Sequence, residues 1–226
     1  MVETSLHSYL KRYYAKNGGI IEAPVEDYLI DVIKDGTLIE IQTKNFYTIK
    51  PKLECLLNHY KIRIIYPIPL QCWIVVFDKK RDEPIRKRKS PKKGRIELIF
   101  HELIYIPDLL SNPNFSIEVI FTNEEDLRRD DGKGSWRRKR VSKIDRRIIS
   151  IESTKSLLFP KDYLRLLPFK PTEEFSNRDL AKKLDLPIRL SRKMTYCLRL
   201  VDLIKIAGKR GNELIYKINT SRQSSN

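Results

Sequence analysis

The sequence has few of the cysteines, histidines and glycines that build zinc centres, disulfides and nucleotide-binding loops. It contains three cysteines and three histidines, and their wide spacing matches no zinc or disulfide framework. Only eight glycines occur, and none of them forms a phosphate-binding motif, which disfavours a nucleotide-driven motor. No apolar run approaches the ~20 residues of a membrane-spanning helix. Because the first residues also lack a signal peptide pattern, we expect a cytoplasmic protein without a membrane partner.

Acidic residues are also scarce relative to basic ones. The chain has 29 Asp and Glu against 45 Lys and Arg, which gives a formal net charge of +16. An excess of this size predicts a polyanionic partner, and DNA is the first candidate. The sequence leaves open whether that DNA is duplex, branched or single-stranded, and whether two copies of the chain form a homodimer on it.

Two strongly basic segments are the expected phosphate contacts. The first spans residues 79 to 95, is predicted to be an exposed loop, and supplies Arg86, Lys87, Arg88, Lys89, Lys92 and Lys93. The second spans residues 128 to 147 and supplies Lys133, Trp136, Arg137, Arg138, Lys139 and Arg140. Lys and Arg in such runs neutralise phosphates without reading sequence. Trp136 could stack on a base or simply anchor its loop, and the sequence does not decide between the two.

The dipeptide Asp35–Gly36 between two apolar runs predicts a β-hairpin. A two-residue turn of this type needs positive φ at both positions, and it sets the register of the strands on either side. Counting outward pairs Lys34 with Thr37 and places Asp31 opposite Glu40. Two carboxylates then lie ~5 Å apart on one face of the hairpin.

Like charges at opposite positions of a ladder destabilise it, so the carboxylate pair needs compensation. A divalent cation with oxygen ligands would supply it, and so would a shared proton or a basic side chain from elsewhere in the chain. Gln42 and Lys44 continue the same alternation beyond Glu40, which predicts that both project from the face that carries Asp31.

A helix, a hairpin with Asp and then Glu, and a following helix resemble the core of the PD-(D/E)XK nuclease superfamily. The corresponding parts here are a predicted helix from Leu6 to Tyr14, the hairpin with Asp31 and Glu40, and a helical stripe from Ile49 to Tyr60. The resemblance implies a restriction-endonuclease-like fold and hydrolysis of phosphodiester bonds in DNA. It implies that Asp31 and Glu40 bind Mg²⁺ or Mn²⁺, and that Glu3 is an additional acidic residue.

The chain departs from that pattern at the basic residue. The superfamily places a lysine two residues after the Glu, where this chain has Gln42, and Lys44 follows two residues later. The catalytic set expected from the resemblance is therefore Asp31, Glu40, Gln42, Lys44 and Glu3. The whole chain is also similar to a prokaryotic family without known activity, which shares residues 40–46 and 134–138.

The last fifty residues resemble a winged helix-turn-helix. Ser176 and Asp179 form a capping-box pattern, a second helix is expected from Arg189 to Leu200, and a hairpin follows with a basic tip. The resemblance implies that the second helix enters a major groove while the tip contacts the backbone. The residues expected to contact DNA are Arg189, Arg192, Lys193, Lys209 and Arg210. A winged helix that binds a protein is the alternative.

These observations predict an α/β protein with a mixed central sheet, flanking helices and a small C-terminal winged-helix domain. The predicted domains are residues 1–168, nuclease-like, and 169–220, winged helix, with 221–226 as a disordered tail. The predicted function is a Mg²⁺-dependent DNA endonuclease. The alternative is a non-catalytic DNA-binding or regulatory protein on a degenerate nuclease fold.

Overall fold

A computed structural model describes residues 3–80, 82–136 and 140–220. The chain divides into two compact units, each assembled from three separate stretches. The first unit comprises Met1–Ile41, Ile65–Arg95 and Val119–Lys155. The second comprises Gln42–Ile64, Ile96–Glu118 and Ser156–Asn226. The class is α/β with a mixed central sheet, as predicted.

The central sheet has seven strands in the order β1-β2-β3-β4-β6-β7, and β5 pairs with β4 beside that path. One helix, α1 (Ser5–Ala15), precedes the sheet in the chain. The strands are β1 (Ile20–Val25), β2 (Tyr28–Lys34), β3 (Thr37–Ile41), β4 (Lys61–Phe77), β5 (Pro84–Lys89), β6 (Phe115–Arg129) and β7 (Ser142–Leu157).

The second unit holds the remaining helices and a small sheet ordered β8-β10-β9. Its α-helices are α2 (Phe46–Leu56), α3 (Phe100–Leu103), α4 (Asn177–Leu184) and α5 (Ile188–Leu200). Its strands are β8 (Phe175–Ser176), β9 (Ile204–Arg210) and β10 (Glu213–Ile218), and 3₁₀ helices lie at Ile96–Ile99, Pro107–Ser111 and Pro160–Leu166.

The β2–β3 hairpin has the predicted turn and register. Asp35 and Gly36 have φ values of 48° and 68°, so both central residues take the left-handed conformation that the turn requires. Val32 pairs with Ile39, Ile33 with Leu38, and Lys34 with Thr37.

The first unit buries its core where α1 meets the hairpin. Leu6 and Leu10, one helical turn apart, are fully buried in a cluster with Val32, Ile39 and Ile41. This packing fixes the side of α1 that faces β2 and β3. It therefore determines which polar residues of the helix reach the carboxylates of the hairpin.

One prediction of local structure was wrong. The segment from residue 79 to 95 is not a loop throughout, because Pro84–Lys89 form strand β5 against β4. Strand β4 is continuous over 17 residues. The 3₁₀ helix at Ile96–Ile99 leads directly into the short α3.

The division into units also differs from the predicted boundary at residue 168. Residues 42–64 and 96–118 belong to the same compact unit as the C-terminal segment. The physical reason is that α5 packs against α3 and against the 3₁₀ helices at Ile96–Ile99 and Pro107–Ser111. The C-terminal helices are thus part of a larger core.

Candidate functional site

Three carboxylates lie in one row across strands β1, β2 and β3. In the β1–β2 pair, Ile21 aligns with Val32 and Ala23 with Ile30, which places Glu22 opposite Asp31. In the β2–β3 pair, Val32 aligns with Ile39, and the next position of the same register places Asp31 opposite Glu40. Glu40 is buried, and its Oε1 accepts a 3.4 Å hydrogen bond from the backbone N–H of Asp31. The row Glu22–Asp31–Glu40 concentrates negative charge at one level of the sheet.

Lys11 of α1 supplies one of the charges that compensate this row. Its Nζ lies 2.8 Å from Glu3 Oε1, 2.8 Å from Glu22 Oε1 and 3.3 Å from Asp31 Oδ1. Burial opposes the charged form of this amine, but hydrogen bonds to Glu22 and Glu3 outweigh burial and raise the pKa of Lys11. The hydrogen bond from Lys11, followed by that from His7, lowers the pKa of Glu3 to about 2.

His7 supplies the second compensating charge. Its Nδ1 lies 2.6 Å from Glu3 Oε1, and its Nε2 lies 3.3 Å from Asp31 Oδ2 and 3.1 Å from the carbonyl oxygen of Ile41. Both ring nitrogens face acceptors, so both must donate and the imidazole must be protonated. Burial lowers the pKa of His7, but hydrogen bonds to Asp31 and Glu3 dominate and raise it to about 9.

Asp31 has both carboxylate oxygens engaged. Oδ1 faces Lys11, and Oδ2 accepts a 2.9 Å hydrogen bond from the N–H of Ile41 and faces His7. Burial raises the pKa of Asp31, but His7 and the Ile41 N–H bond outweigh burial and lower it. Of the alternatives left open by the sequence, compensation by basic side chains from another element is the one observed.

A divalent ion does not fit this arrangement as it stands. Across residues 3–80, 82–136 and 140–220, no group of three or more His, Cys, Asp or Glu side chains has the geometry to hold a metal. Mg²⁺ needs oxygen atoms that are free to coordinate it, whereas the Lys11 ammonium already lies among Glu3, Glu22 and Asp31. A metal could coordinate these oxygens only after displacing the Lys11 ammonium.

Gln42 and Lys44 do not continue the strand that carries Glu40. Strand β3 ends at Ile41, a bend follows at Thr43–Lys44, and Asn45 takes a left-handed conformation at the start of α2. The alternation of side chains used to place both residues on the face of Asp31 therefore ends with β3. Strand alternation therefore gives no support to the placement of Gln42 and Lys44 beside the carboxylates, and their catalytic role stays a prediction.

The folded protein is expected to lose stability as the pH rises from 6.5 to 9. The pKa of His7 is raised to about 9, so its contribution is complete below its unfolded value near 6.5 and disappears as the pH passes through 9. Allowing for solvent screening, we expect a loss of about 2 kcal/mol. Urea unfolding at both pH values measures it.

The matched control for this experiment is His59, an exposed histidine three residues after the end of α2. The His7→Gln protein should unfold with a free energy that changes little over that interval, whereas His59→Gln should follow the wild type. An equal pH dependence in the wild type and in His7→Gln would contradict the assignment of a protonated His7.

The basic residues of β5 are all exposed, but they differ in their partners. Lys87 forms a 2.8 Å ion pair with Glu125, and Lys89 lies 5.7 Å above the Trp73 ring. Arg86 and Arg88 align with Val76 and Ile74 of β4, and neither forms an ion pair with a carboxylate among the described residues. Lys92 and Lys93 are exposed in the segment after β5.

Much of the second basic segment is compensated within the sheet. On β7, Arg146 pairs with the fully buried Glu124, and Arg147 pairs with Glu125 at 2.5 Å. On β6, Arg128 pairs with Asp126 at 2.7 Å. We call these pairs the β6–β7 charge ladder. Its basic residues already have carboxylate partners, which lowers their availability for phosphates.

The residues predicted to contact DNA in the connection between β6 and β7 are only partly described by the structure. Lys133 and Arg140 are exposed, and Trp136 exposes 80% of its surface. Arg137, Arg138 and Lys139 lie outside the described residues. The exposure of Trp136 is compatible with either of the uses that the sequence left open.

The C-terminal segment has the expected order of elements. The capping box of Ser176 and Asp179 begins α4, and α5 follows after residues 185–187. Arg189 and Arg192 are exposed, whereas Lys193 is half-buried with its Nζ 3.1 Å from His101 Nδ1.

The two basic residues expected at the tip of the β9–β10 hairpin, Lys209 and Arg210, lie on strand β9. The strands extend to Arg210 and from Glu213, so only Gly211 and Asn212 form the turn. Lys209 is exposed on β9. Arg210 is exposed too, but its guanidinium lies 3.2 Å from Asp179 and 3.9 Å from Glu213, so its charge is partly compensated.

Sequence reasoning missed Glu22, which belongs to the carboxylate row, and the two side chains that compensate the row, His7 and Lys11. Glu22 could have been found by treating Glu26–Asp27 as a second two-residue turn, since Val25 pairs with Tyr28. That turn has no glycine and was not recognised. His7 and Lys11 are four residues apart and share a helix face, but nothing local indicates which strand that face meets.

Comparisons with known proteins identify relatives without a described activity. A family model described as "Domain of unknown function (DUF8091)" matches residues 4–158. A relative from Treponema pallidum (strain Nichols), described as "Uncharacterized protein", is 30% identical over 181 residues, which cover 80% of this chain and 72% of the relative. No solved structure matches the chain. Among the described helices, none has the length and apolarity needed to cross a bilayer.

Proposed function

Because the chain belongs to the DUF8091 family, whose description names no activity, we propose from its geometry that the protein binds duplex DNA through α5. This proposal takes up the non-catalytic alternative that the sequence offered. It rests on one observation, the pattern of exposed and buried residues along α5.

The outer face of α5 carries three arginines and a tyrosine. Arg189, Arg192, Tyr196 and Arg199 are exposed and follow the i, i+3, i+7, i+10 spacing of a single helix face. None of the three guanidinium groups pairs with a carboxylate within the described parts of the chain. The opposite face, with Leu190, Met194, Cys197 and Leu198, is buried. The packing therefore holds the helix with its cations outward.

The elements around α5 support a DNA-binding role for this face. The order β8, α4, α5, β9, β10 and the sheet order β8-β10-β9 resemble a winged helix-turn-helix. In such units the second helix lies in the major groove and the hairpin contacts the backbone. Lys205 and Lys209 are exposed on β9 and would serve as backbone contacts.

Replacing Arg189, Arg192 and Arg199 together by Gln is expected to weaken duplex binding by at least about tenfold. Each removed phosphate contact should also lower the slope of log affinity against log salt by about one. Fluorescence anisotropy with a random-sequence duplex, measured from low to moderate salt, gives both quantities.

The matched control removes the same charge from other exposed positions of the second unit, through Lys61→Gln, Lys161→Gln and Arg165→Gln. This protein should bind with nearly the wild-type affinity and slope. Equal losses in the two triple variants would mean that binding follows net charge alone, and α5 would then not be the interface. Absence of salt-dependent binding in the wild type would remove DNA as the partner.

Metal-dependent hydrolysis of phosphodiester bonds is the second candidate function, and the carboxylate row favours it. Glu22, Asp31 and Glu40 occupy three adjacent strands at one level, after a helix and before a second helix, as in the PD-(D/E)XK resemblance. Lys11 would provide the positive charge that Gln42 cannot. This candidate requires a metal to displace Lys11 from at least one carboxylate.

Supercoiled plasmid, linear duplex and single-stranded DNA incubated with the protein and Mg²⁺ or Mn²⁺ test this candidate. Cleavage that disappears in Asp31→Asn would support it. Intact substrates, together with an unchanged melting temperature in the presence of either metal, would contradict it and leave the non-catalytic function.

A further inference from the structure

A cavity of about 360 Å³, widely open to solvent, lies beside α5 in the second unit. Its lining residues are Ile104, Arg192, Lys193 and Tyr196. Two of these four side chains are cations and one is a phenol, while none of the described lining residues is acidic. The volume falls within the range of pockets that hold small ligands rather than single ions.

Lys193 is held in place by a neutral partner. Its Nζ lies 3.1 Å from His101 Nδ1, and an ammonium can only donate, so Nδ1 must accept. Burial, and then the charge of Lys193, lower the pKa of His101, which agrees with a neutral ring. The contact therefore orients Lys193 without neutralising its charge.

The other polar groups of the cavity are also available for a ligand. Neither the Arg192 guanidinium nor the Tyr196 hydroxyl has a hydrogen-bond partner among the described residues. The nearest acid in sequence to His101, Glu102, accepts a 3.0 Å hydrogen bond from the backbone N–H of Phe46 at the start of α2. The cavity thus combines positive charge with unused donors.

We propose that this cavity is a binding site for a phosphate group. Arg and Lys are the side chains that bind phosphate oxygens most strongly, through charge-assisted hydrogen bonds, and the Tyr196 hydroxyl adds a further donor. The apolar side chain of Ile104 and the volume leave space for the organic part of a phosphate ester. The phosphate belongs either to a free small-molecule ester or to a DNA strand bound along α5, and only the second source rests on the proposed function.

The test measures binding of inorganic phosphate and phenyl phosphate to the full-length protein by calorimetry, at constant ionic strength with chloride as the reference anion. Arg192→Gln and Lys193→Gln should each weaken binding by about tenfold, the effect of losing one charge-assisted hydrogen bond. Lys61→Gln is the matched control, because Lys61 is an exposed cation of the second unit that does not line the cavity.

The same variants identify the source of the phosphate. If Lys193→Gln weakens phosphate binding and leaves duplex affinity unchanged, the site takes a free ester. If both affinities fall, the site takes a phosphate of the DNA. Phosphate binding by a wild type that binds no duplex would refute the proposed function and support the site. No phosphate binding above chloride, or an equal loss in Lys61→Gln, would refute the site.

Discussion

A fragment that ends at Pro168 is expected to lose the folded structure of the second compact unit. The removed segment contributes four side chains of α5 that are 0–1% exposed, namely Leu190, Met194, Cys197 and Leu198. Burying side chains of this kind stabilises a protein by about 1.5–3 kcal/mol each, so the loss would be about 6–12 kcal/mol. That is comparable with the whole stability of a typical domain. Circular dichroism and hydrogen exchange of the fragment measure the result.

A fragment of residues 1–220 is the control, since it retains every described helix and strand of both units. It should melt like the full chain. The single variant Leu198→Ala provides an independent measure, with an expected loss of about 2–5 kcal/mol. If the fragment ending at Pro168 unfolds cooperatively and protects residues 42–64 from exchange, the division into these two units is wrong.

Lys11→Met is expected to lower the free energy of unfolding by about 3 kcal/mol at pH 7. The variant keeps the length of the side chain and removes the one charge shared by Glu3, Glu22 and Asp31. Lys11 and Asp31 are largely buried, so removing the ammonium leaves Asp31 and Glu3 with His7 as their one remaining cation among the described residues and leaves Glu22 without its ion pair, which is destabilising. The partial exposure of Glu3 and Glu22 limits the loss. Urea unfolding at constant salt gives the value.

Arg12→Met is the matched control, because Arg12 is the next residue of α1, is exposed and forms no ion pair within the described ranges. Its stability should change by less than about 0.5 kcal/mol. Repeating both measurements with Mn²⁺ also examines the second candidate function. Stabilisation of Lys11→Met by Mn²⁺, without stabilisation of the wild type, would mean that the ammonium occupies a place that a metal can take. An unchanged stability of Lys11→Met would refute the role given to Lys11.

The β2–β3 hairpin could be predicted from sequence because its determinants are local. The Asp35–Gly36 turn sets the register by itself, and so the juxtaposition of Asp31 and Glu40 followed from counting. What compensates these carboxylates could not be predicted in the same way. His7 and Lys11 reach them only because Leu6 and Leu10 pack against the hairpin, which is a tertiary contact between elements about twenty residues apart.

The basic segments illustrate a second limit of the sequence. A run of Lys and Arg predicts an exposed, positively charged surface, but the partners of each residue depend on strand pairing. Glu124 and Glu125 lie 22 residues before Arg146 and Arg147 in sequence and meet them in the β6–β7 charge ladder. Likewise β5, whose composition suggested a loop, is a strand because it pairs with Trp73–Phe77 of the 17-residue strand β4.

The left-handed backbone of Glu22 also affects whether the edge strand β1 can pair with a strand of another molecule. β1 is the first strand in the sheet order, and an open edge of this kind can pair with a strand of another chain and cause aggregation. The φ of 53° at Glu22 interrupts the regular pairing of β1, and Pro24 two residues later has no N–H to donate. The residue that completes the carboxylate row thus also helps to protect this edge against self-association.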